Sequence, residues 1–302
     1  MTEPRAFSCE RHGEYVAAGD RYTAAAPEDC RSCRAEAHAL EAAWRAAWAT
    51  WRRVVAAGIP ARFARATLDS WIAATPAQRV TLGLVRRWCE RAAAGEDDGL
   101  GLTLSGPPGL GKTHLGVAAL WYVLQHSRQS ARYAQWADTL AQLKTSAARR
   151  DNAAADVIDE LKGADVLVLD EIGVRPGSEY DLGVLFDVID HRYREELPTI
   201  VCTNATGDQA CAMMGERVAD RLREVNELLL LTGTSRRTGI AKPATGPLPI
   251  ERPADAIDVP ECYAGRFQLR RIEASPARKE FTSGSAPYER ARLPLYVRGQ
   301  GR

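Results

Sequence analysis

The chain has 302 residues, enough to bury one or two hydrophobic cores, and 45% of these residues are hydrophobic. Its formal net charge of +1 excludes a strongly basic or acidic protein, so any nucleic-acid contact must come from a local patch. No apolar run approaches the roughly 20 residues that cross a bilayer, and the start, MTEPRAFSCERHGEY, has no hydrophobic signal core, so we expect a soluble cytoplasmic protein without membrane contact.

Residues 1–35 contain few aliphatic side chains but hold two pairs of potential metal ligands. Cys9 and His12 form a CxxH pair, and Cys30 and Cys33 form a CxxC pair. A gap of two residues lets both ligands of a pair bind one tetrahedral ion, and the intervening HGEY…GDRY stretch is predicted to form a hairpin. Because such a region cannot build its own apolar core, a metal can supply folding energy. We predict a structural zinc module; the alternative is that the cysteines are incidental.

Residues 36–56 are predicted to form a helix with an aromatic face. Leu40, Trp44, Trp48 and Trp51 recur at helical spacing, so three indoles lie on one side. Two explanations remain open. The indoles either contact the core of the following domain or dock a partner, since tryptophan is enriched in interface hot spots.

Residues 57–240 alternate between apolar strand patterns and helical patterns. The predicted strands are LTLS (102–105), ARYAQW (131–136), DVLVLD (165–170), TIVCTN (199–204) and LLLLTG (228–233). The predicted helices are THLGVAALWYVLQHS, ADTLAQLKTSAARR, DLGVLFDVIDHRYREE and ERVADRLREVNE. Apolar strands that do not alternate with polar residues indicate a sheet covered on both faces. We therefore predict an α/β three-layer domain with a mostly parallel, five-stranded sheet.

Directly after the first of these strands, the sequence GPPGLGKT matches the phosphate-binding pattern GxxxxGK[ST] in its required strand–loop–helix context. The glycines allow successive N–H groups to point at phosphate oxygens, and the following helix adds its N-terminal dipole. Lys112 is expected to contact the β- and γ-phosphates, and Thr113 to give Mg²⁺ an oxygen ligand. An ordinary glycine-rich turn is the alternative. The residues predicted to bind ATP are Gly106, Pro107, Pro108, Gly109, Leu110, Gly111, Lys112, Thr113 and His114.

The strand DVLVLD ends in two acids at the carboxyl edge of the sheet, where α/β folds bind ligands. Asp170 is expected to hold Mg²⁺ through water, and Glu171 to orient and deprotonate the attacking water. An ATPase that converts ATP and water to ADP and phosphate is therefore predicted; a solubilising turn is the alternative. Asn204, which ends TIVCTN, could reach the γ-phosphate and this water, with Thr203 as the neighbouring alternative.

Two further segments carry no catalytic motif. Residues 144–150 (KTSAARR) are basic, and a charged, solvated helix face is a simpler interpretation than a DNA contact. Residues 241–302 hold eight of the 16 prolines and few aliphatic runs. We predict that this tail is mostly disordered or linker-like.

Taken together, these motifs and their order resemble AAA+ ATPases, and more narrowly the bacterial DnaC-type helicase loaders and their IstB-like relatives. The narrower resemblance covers roughly residues 57–240 and rests on four stretches. These are AGIPARFARATLDSW (57–71), LFDVIDHRYREELPTIVCTN (185–204), GERVADRLRE (215–224) and GTSRR (233–237).

The resemblance implies roles for two pairs of arginines. Arg221 would be the arginine finger that reaches the γ-phosphate bound by a neighbouring subunit, and Arg217, one turn earlier, is the competing choice. Arg237, or Arg236 beside it, would be the sensor-2 arginine. The helical lid of many AAA+ proteins is absent or vestigial here. Either helix arginine could instead be a solvated surface charge.

As a whole, the resemblance implies an ATP-dependent loader that binds a replicative helicase and single-stranded DNA, and self-associates through its ATP site. The expected cofactors are ATP, Mg²⁺ and Zn²⁺. An IstB-type transposition-helper ATPase and a nucleotide-switched DNA-binding adaptor with little hydrolysis remain alternatives. The zinc module favours the loader, because the helper is expected to begin with a helical domain. The expected domains are a zinc module (1–35), a Trp-bearing docking helix (36–56), an AAA+ domain (57–240) and the tail (241–302).

Overall fold

The computed structural model describes residues 6–9, 11–16, 31–96, 98–149, 151–173, 177–205, 208–235, 248–254, 256–258 and 271–273. The chain divides into two compact units. The first contains residues 1–52 with 252–284 and 288–302, and the second contains residues 53–251 with 285–287. No helix within the described ranges is long and apolar enough to cross a membrane.

The described residues of the first unit form two antiparallel strand pairs and most of a long helix. Strand β1 (Ala6–Cys9) pairs with β2 (Gly13–Val16), and helix α1 (Arg31–Ala56) continues into the second unit. Strands β8 (Ala256–Asp258) and β9 (Arg271–Glu273) form the second pair, within the tail predicted from sequence. The predicted hairpin HGEY…GDRY is found only in part: β2 contains GEYV but pairs with β1, and GDRY lies outside the described residues.

The indoles of α1 are used within the first unit. Trp44 and Trp48 both donate their ring N–H to the carbonyl of Ala254, at 2.9 and 3.2 Å, and their rings meet edge to face. Trp48 and Trp51 are buried, whereas Leu40 is exposed. Intramolecular packing therefore accounts for Trp48 and Trp51, and partner docking by this helix stays a prediction.

Within the described residues of the second unit, five parallel strands form one sheet in the order β4-β5-β6-β3-β7. The prediction of a parallel, five-stranded sheet is confirmed. The last strand begins two residues and ends three residues earlier than predicted. Asn226 begins the pairing, and its Nδ2 donates to Thr103 Oγ1 and to the Thr199 carbonyl. The strands are β3 (Gly101–Ser105), β4 (Ala131–Gln135), β5 (Val166–Ile172), β6 (Thr199–Thr203) and β7 (Asn226–Leu230).

Helices cover both faces of this sheet. The four predicted helices correspond to α3 (Lys112–His126), α4 (Trp136–Arg149), α6 (Glu179–Arg194) and α8 (Glu216–Val225). Three further helices were not predicted from the sequence: α2 (Pro76–Ala94), α5 (Ala153–Gly163) and α7 (Asp208–Met214). For α2 a local signal existed, since Thr75 and Gln78 form a capping box around Pro76.

Alternation along the central strands builds the three layers. Leu167, Leu169 and Val201 join the core formed with helices α4, α5, α6 and α8. Val168 and Cys202 point to the opposite face of the sheet, toward α3, and are the side chains nearest to Gly116 of that helix. Because strands β5 and β6 are buried on both faces, they contain the continuous apolar runs VLVL and IVC.

One buried arginine joins the helices to the amino ends of the strands. Arg192 of α6 is only 1% exposed. Its guanidinium donates to the carbonyls of Leu161, Lys162, Ala164 and Pro198 and to Thr199 Oγ1, at distances from 2.6 to 3.2 Å. These acceptors lie at the end of α5 and at the starts of β5 and β6, so the arginine fixes where both strands begin.

Replacing Arg192 by methionine is expected to lower the free energy of unfolding by about 3 kcal/mol or more, because several buried carbonyls lose their donor. Urea unfolding followed by circular dichroism measures this difference. The matched control is Arg194→Met on the same helix, which removes an exposed ion pair with Asp190 and should change stability by less than about 1 kcal/mol. Equal effects of the two substitutions would contradict the role given to Arg192.

Candidate functional site

The phosphate-binding loop lies between β3 and α3, as the sequence predicts. Gly106 has φ 147° and Gly111 has φ 88°, which side chains rarely adopt. A Cβ at Gly106 would collide with the Leu231 carbonyl, and one at Gly111 would lie 2.5 Å from Nε1 of Trp71. Glycine is therefore required at both positions, by conformation and by the close approach of neighbouring groups.

Lys112 begins helix α3 and points back across the loop. Its ammonium donates to the carbonyls of Gly106 and Pro107 at 2.6 and 2.9 Å, and the residue is only 7% exposed. These hydrogen bonds hold the charge against the loop backbone. Phosphate oxygens bound in the loop would offer the same ammonium stronger, charged acceptors.

The other residues predicted to bind ATP differ in their exposure to solvent. Pro107 and Pro108 are exposed, whereas Leu110 is buried and anchors the loop in the core. His114 places Nε2 3.0 Å from Ser70 Oγ and from the Thr67 carbonyl. Its ring therefore ties the first turn of α3 to the segment that precedes the loop.

That preceding segment, residues 57–71, lies along the elements that form the site. Ala57 accepts a hydrogen bond from the Tyr133 N–H at 2.7 Å, and Phe63 accepts one from Trp121 Nε1 at 3.4 Å. Trp71 is buried and approaches Gly111. The segment thus supports the loop from outside the strand–loop–helix motif.

Asp170 lies at the carboxyl end of β5 with several donors around it. Thr113, the second residue of α3, hydrogen-bonds its carboxylate, and the Glu171 N–H donates to Oδ1 at 3.0 Å. The hydroxyl of Tyr133, on the neighbouring strand β4, donates to Oδ2 at 2.8 Å. Asp170 is 4% exposed, so these bonds replace water.

Burial dominates the electrostatics of this carboxylate. It raises the pKa of Asp170 above its usual value, and the hydrogen bonds from Thr113, Tyr133 and the Glu171 N–H act in the opposite direction. Burial and the adjacent Asp170 charge also raise the pKa of Tyr133, so the phenol keeps its proton. A cation bound beside Asp170 would favour its ionised form.

Glu171 follows in an unusual backbone conformation. Its φ is 58°, and the pairing of β5 with β6 shifts register between Leu169 and Ile172. A positive φ outside glycine is uncommon and is found more often at functional sites. Its exposed carboxylate accepts a hydrogen bond from Gln135 Nε2 at 2.6 Å.

Thr203 and Asn204, the two candidates for contact with the γ-phosphate, lie at the end of β6 and differ in exposure. The Thr203 hydroxyl is buried, donates to the Ile172 carbonyl at 2.8 Å and accepts from the Ala205 N–H at 3.1 Å. Asn204, in contrast, is exposed. Thr203 also joins the sheet to the loop, since its carbonyl accepts from the Gly106 N–H. Asn204 therefore remains the candidate for contact with a ligand.

The predicted finger arginines lie on α8 and face α6. Arg221 places Nε 3.3 Å from Asp190 Oδ1, with its guanidinium 4.7 Å above the Tyr193 ring. Arg217 lies 5.8 Å above the Phe186 ring. The candidate sensor-2 arginines, Arg236 and Arg237, lie outside the described residues.

The predicted zinc ligands are described only in part. His12 lies in the turn between β1 and β2, with Nε2 2.8 Å from Glu36 Oε1. The structure describes the backbone of Cys9 and Cys33 but not their side chains, and Cys30 lies outside the described residues. Among the side chains that are described, no group of three or more His, Cys, Asp or Glu residues could hold a metal.

The predicted basic segment is partly neutralised within the chain. Lys144 Nζ lies 2.9 Å from Asp181 Oδ1, an ion pair between α4 and the start of α6. Arg149 is exposed, and the side chain of Arg150 lies outside the described residues. The ion pair of Lys144 agrees with the simpler interpretation of this segment, a charged, solvated helix face rather than a DNA contact.

Sequence reasoning missed two residues of this site, Tyr133 and Gln135. Both occur in ARYAQW, and a signal was present because polar side chains there recur two residues apart at the end of a strand. What the sequence did not show is that this strand lies beside the acid-bearing strand, with Gln135 opposite Asp170.

The chain matches the family model described as IstB-like ATP binding protein over residues 86–239. The phosphate-binding loop, the acid pair and helix α8 all lie within this match. The replicative helicase loader DnaC of Escherichia coli strain K12 is 32% identical over 127 residues, which are 42% of this chain and 51% of that protein. DnaC of Buchnera aphidicola subsp. Acyrthosiphon pisum is 27% identical over 174 residues, 57% of this chain and 69% of that protein.

Two solved structures are also similar to this chain. The crystal structure of the DnaC helicase loader has a TM-score of 0.50 at 26% identity and covers 55% of this chain and 97% of that chain. The crystal structure of DnaI has a TM-score of 0.51 at 23% identity, covers 58% and 95%, and supports the fold alone. The chain spans about half the length of the first curated relatives it matches.

Proposed function

Because the chain belongs to the IstB-like ATP-binding protein family and has the α/β P-loop AAA+ fold, we propose that it is an ATPase that loads a replicative helicase onto single-stranded DNA. The observation that carries the ATPase part is the meeting of Lys112, Thr113 and Asp170 at one edge of the sheet, with Glu171 beside them. The loading part is supported by the relatives named replicative helicase loader.

The donor set suits magnesium. Mg²⁺ prefers hard oxygen ligands, and the Thr113 hydroxyl lies beside the Asp170 carboxylate at the loop. Thr113 would bind the ion directly, and Asp170 would hold its water. Bound with ATP, Mg²⁺ neutralises part of the charge on the phosphate oxygens.

Hydrolysis then depends on Glu171 and Lys112. The Glu171 carboxylate accepts a proton from water as the water oxygen bonds to the γ-phosphorus. The bond between the γ-phosphorus and the bridging oxygen breaks, and ADP keeps the electron pair. Lys112 stabilises charge on the β- and γ-phosphates, and Asn204 orients the water from the end of β6. Because Glu171 donates no hydrogen bond to the substrate, its loss should spare binding.

The arginine finger is proposed to act between subunits. Arg221 lies on α8, whereas the phosphate-binding loop lies between β3 and α3. Its cation would complete the charge around the γ-phosphate held by a neighbour. Arg217 is the alternative, and Arg237 or Arg236 would supply the sensor-2 charge from the same chain.

Substitutions of Lys112 and Glu171 test the site and the function together. Lys112→Ala should lose MgATP binding, and Glu171→Gln should bind MgATP like the wild type but not turn it over, because only the proton acceptor is lost. Isothermal titration and phosphate release measure the two effects. A fluorescent replicative helicase should associate with single-stranded DNA faster when the wild-type chain and ATP are present than when either is omitted.

The control is Lys162→Ala, which removes a lysine of α5 that pairs with Asp187. It should bind ATP normally. Wild-type affinity in Lys112→Ala would refute the assignment of the phosphate site. If ATP turnover is normal but no helicase associates or is loaded, the ATPase assignment stands and the loading function is wrong.

A mixing experiment tests the shared site. Arg221→Ala chains bind ATP but lack the finger, and Lys112→Ala chains lack ATP but still offer a finger. An arginine finger raises the rate of ATP hydrolysis by a factor on the order of 10³ to 10⁵. Each variant alone should therefore hydrolyse almost no ATP, and the mixture should recover part of the wild-type rate.

The same experiment separates the alternatives. Arg217→Ala, on the same helix, should retain activity if Arg221 is the finger. Wild-type turnover by assembled Arg221→Ala chains would shift the role to Arg217. No recovery from a mixture of folded, associating variants would show that the site is complete within one chain.

A zinc ion is proposed for the first unit, held by Cys9, His12, Cys30 and Cys33. The supporting contact is the hydrogen bond between His12 Nε2 and Glu36, since a zinc-bound histidine commonly pairs its other ring nitrogen with a carboxylate. Elemental analysis should find about one zinc per chain, and chelation should unfold this unit. A zinc content near zero in protein from metal-replete cells would refute the site.

A further inference from the structure

Tyr133 contacts the centre of the site without belonging to any of its motifs. Its ring stands on β4, and its buried hydroxyl donates to Asp170 Oδ2 at 2.8 Å. Two residues later on the same face of the strand, Gln135 donates to Glu171 at 2.6 Å. One strand therefore supplies a donor to each of the two acids.

The geometry restricts how the Asp170 carboxylate can turn. One oxygen accepts the Tyr133 hydroxyl, and the other accepts the Glu171 N–H at 3.0 Å. An aspartate side chain can rotate about its last bond, but donors on both oxygens hold its plane. Among the contacts described, Tyr133 is the side chain of β4 that donates to this carboxylate, and the Cys202 thiol on β6, at the other side of β5, hydrogen-bonds it as well.

We propose that Tyr133 is a positioning residue for the magnesium site: its hydroxyl fixes the orientation of Asp170 before the ion and its water bind. This inference rests on the proposed role of Asp170 in holding Mg²⁺. The group acts on the ligand of the ion rather than on ATP. Its loss should therefore change the magnesium requirement and leave metal-free nucleotide binding unchanged.

A purely structural role makes a different prediction. A buried tyrosine hydroxyl needs an acceptor, and Asp170 could serve only that purpose. In that case removal of the hydroxyl would change stability or nucleotide affinity in general, and the dependence on Mg²⁺ would stay the same. The two roles are separated by the Mg²⁺ midpoint, the Mg²⁺ concentration at which the Mg²⁺-dependent gain in nucleotide binding is half complete.

The test uses Tyr133→Phe in the full chain, which removes one oxygen and keeps the ring. Binding of ATPγS is measured by isothermal titration in excess EDTA and then across a series of Mg²⁺ concentrations. We expect wild-type affinity in EDTA and a Mg²⁺ midpoint raised about 10-fold, the usual effect of losing a group that orients a metal ligand. Saturating Mg²⁺ should restore ATP turnover toward the wild-type rate.

Tyr122→Phe is the matched control, because Tyr122 stacks on His126 at the far end of α3 and its ring contact survives the change. Its Mg²⁺ midpoint should equal that of the wild type. Tyr133→Met, which fills similar space without a donor, replaces Tyr133→Phe if that variant does not fold.

The outcomes distinguish this inference from the proposed function. If wild-type binding of ATPγS does not depend on Mg²⁺, the magnesium assignment fails and this inference fails with it. If the wild type depends on Mg²⁺ and Tyr133→Phe has the same midpoint, only the role of Tyr133 is refuted. If Tyr133→Phe weakens ATPγS binding by the same factor with and without Mg²⁺, the role of Tyr133 is structural and the proposal is overturned.

Discussion

The buried guanidinium of Arg192 is the constraint on which the sheet and the site depend. A charge removed from water must be matched by acceptors, and five oxygens surround this one. Burial lowers the pKa of Arg192 to about 9, so the group remains charged at neutral pH. Its acceptors fix the amino ends of β5 and β6. Because the two strands are parallel, their carboxyl ends then bring Asp170 and Thr203 to the same edge.

At that edge, hydrogen bonds hold the charged groups in place before any ligand binds. The ammonium of Lys112 is held by two loop carbonyls, and the carboxylate of Asp170 is held by Thr113, Tyr133 and a backbone N–H. Phosphate and cation can replace weaker partners of these groups without a large rearrangement. Preorganised charges of this kind contribute most to catalysis, because they need not reorient as the reaction proceeds.

The parts of the site that sequence predicts are those encoded by neighbouring residues. The glycine-rich loop and the acid pair each occupy one short stretch, and the apolar strands show their burial directly. Tyr133 and Arg192 could not be predicted in this way, because their partners lie 37 and up to 31 residues away in the chain. Their roles follow from strand order and helix packing. The start of β7 was misplaced for the same reason, since Asn226 pairs with residues of two other strands.

Helix α6 also connects the sheet to the proposed finger. Arg192 lies between two residues that contact Arg221: Asp190 through its carboxylate and Tyr193 through its ring. The same turn of α6 therefore anchors the strand that carries Asp170 and holds the arginine that is proposed as the finger. Among the described residues, Lys112 is the cation held at the phosphate-binding loop, and one positive charge cannot balance the several negative charges of ATP. A second cation has to be held rigidly to be effective, and the ion pair with Asp190 and the contact with the Tyr193 ring hold Arg221 in this way.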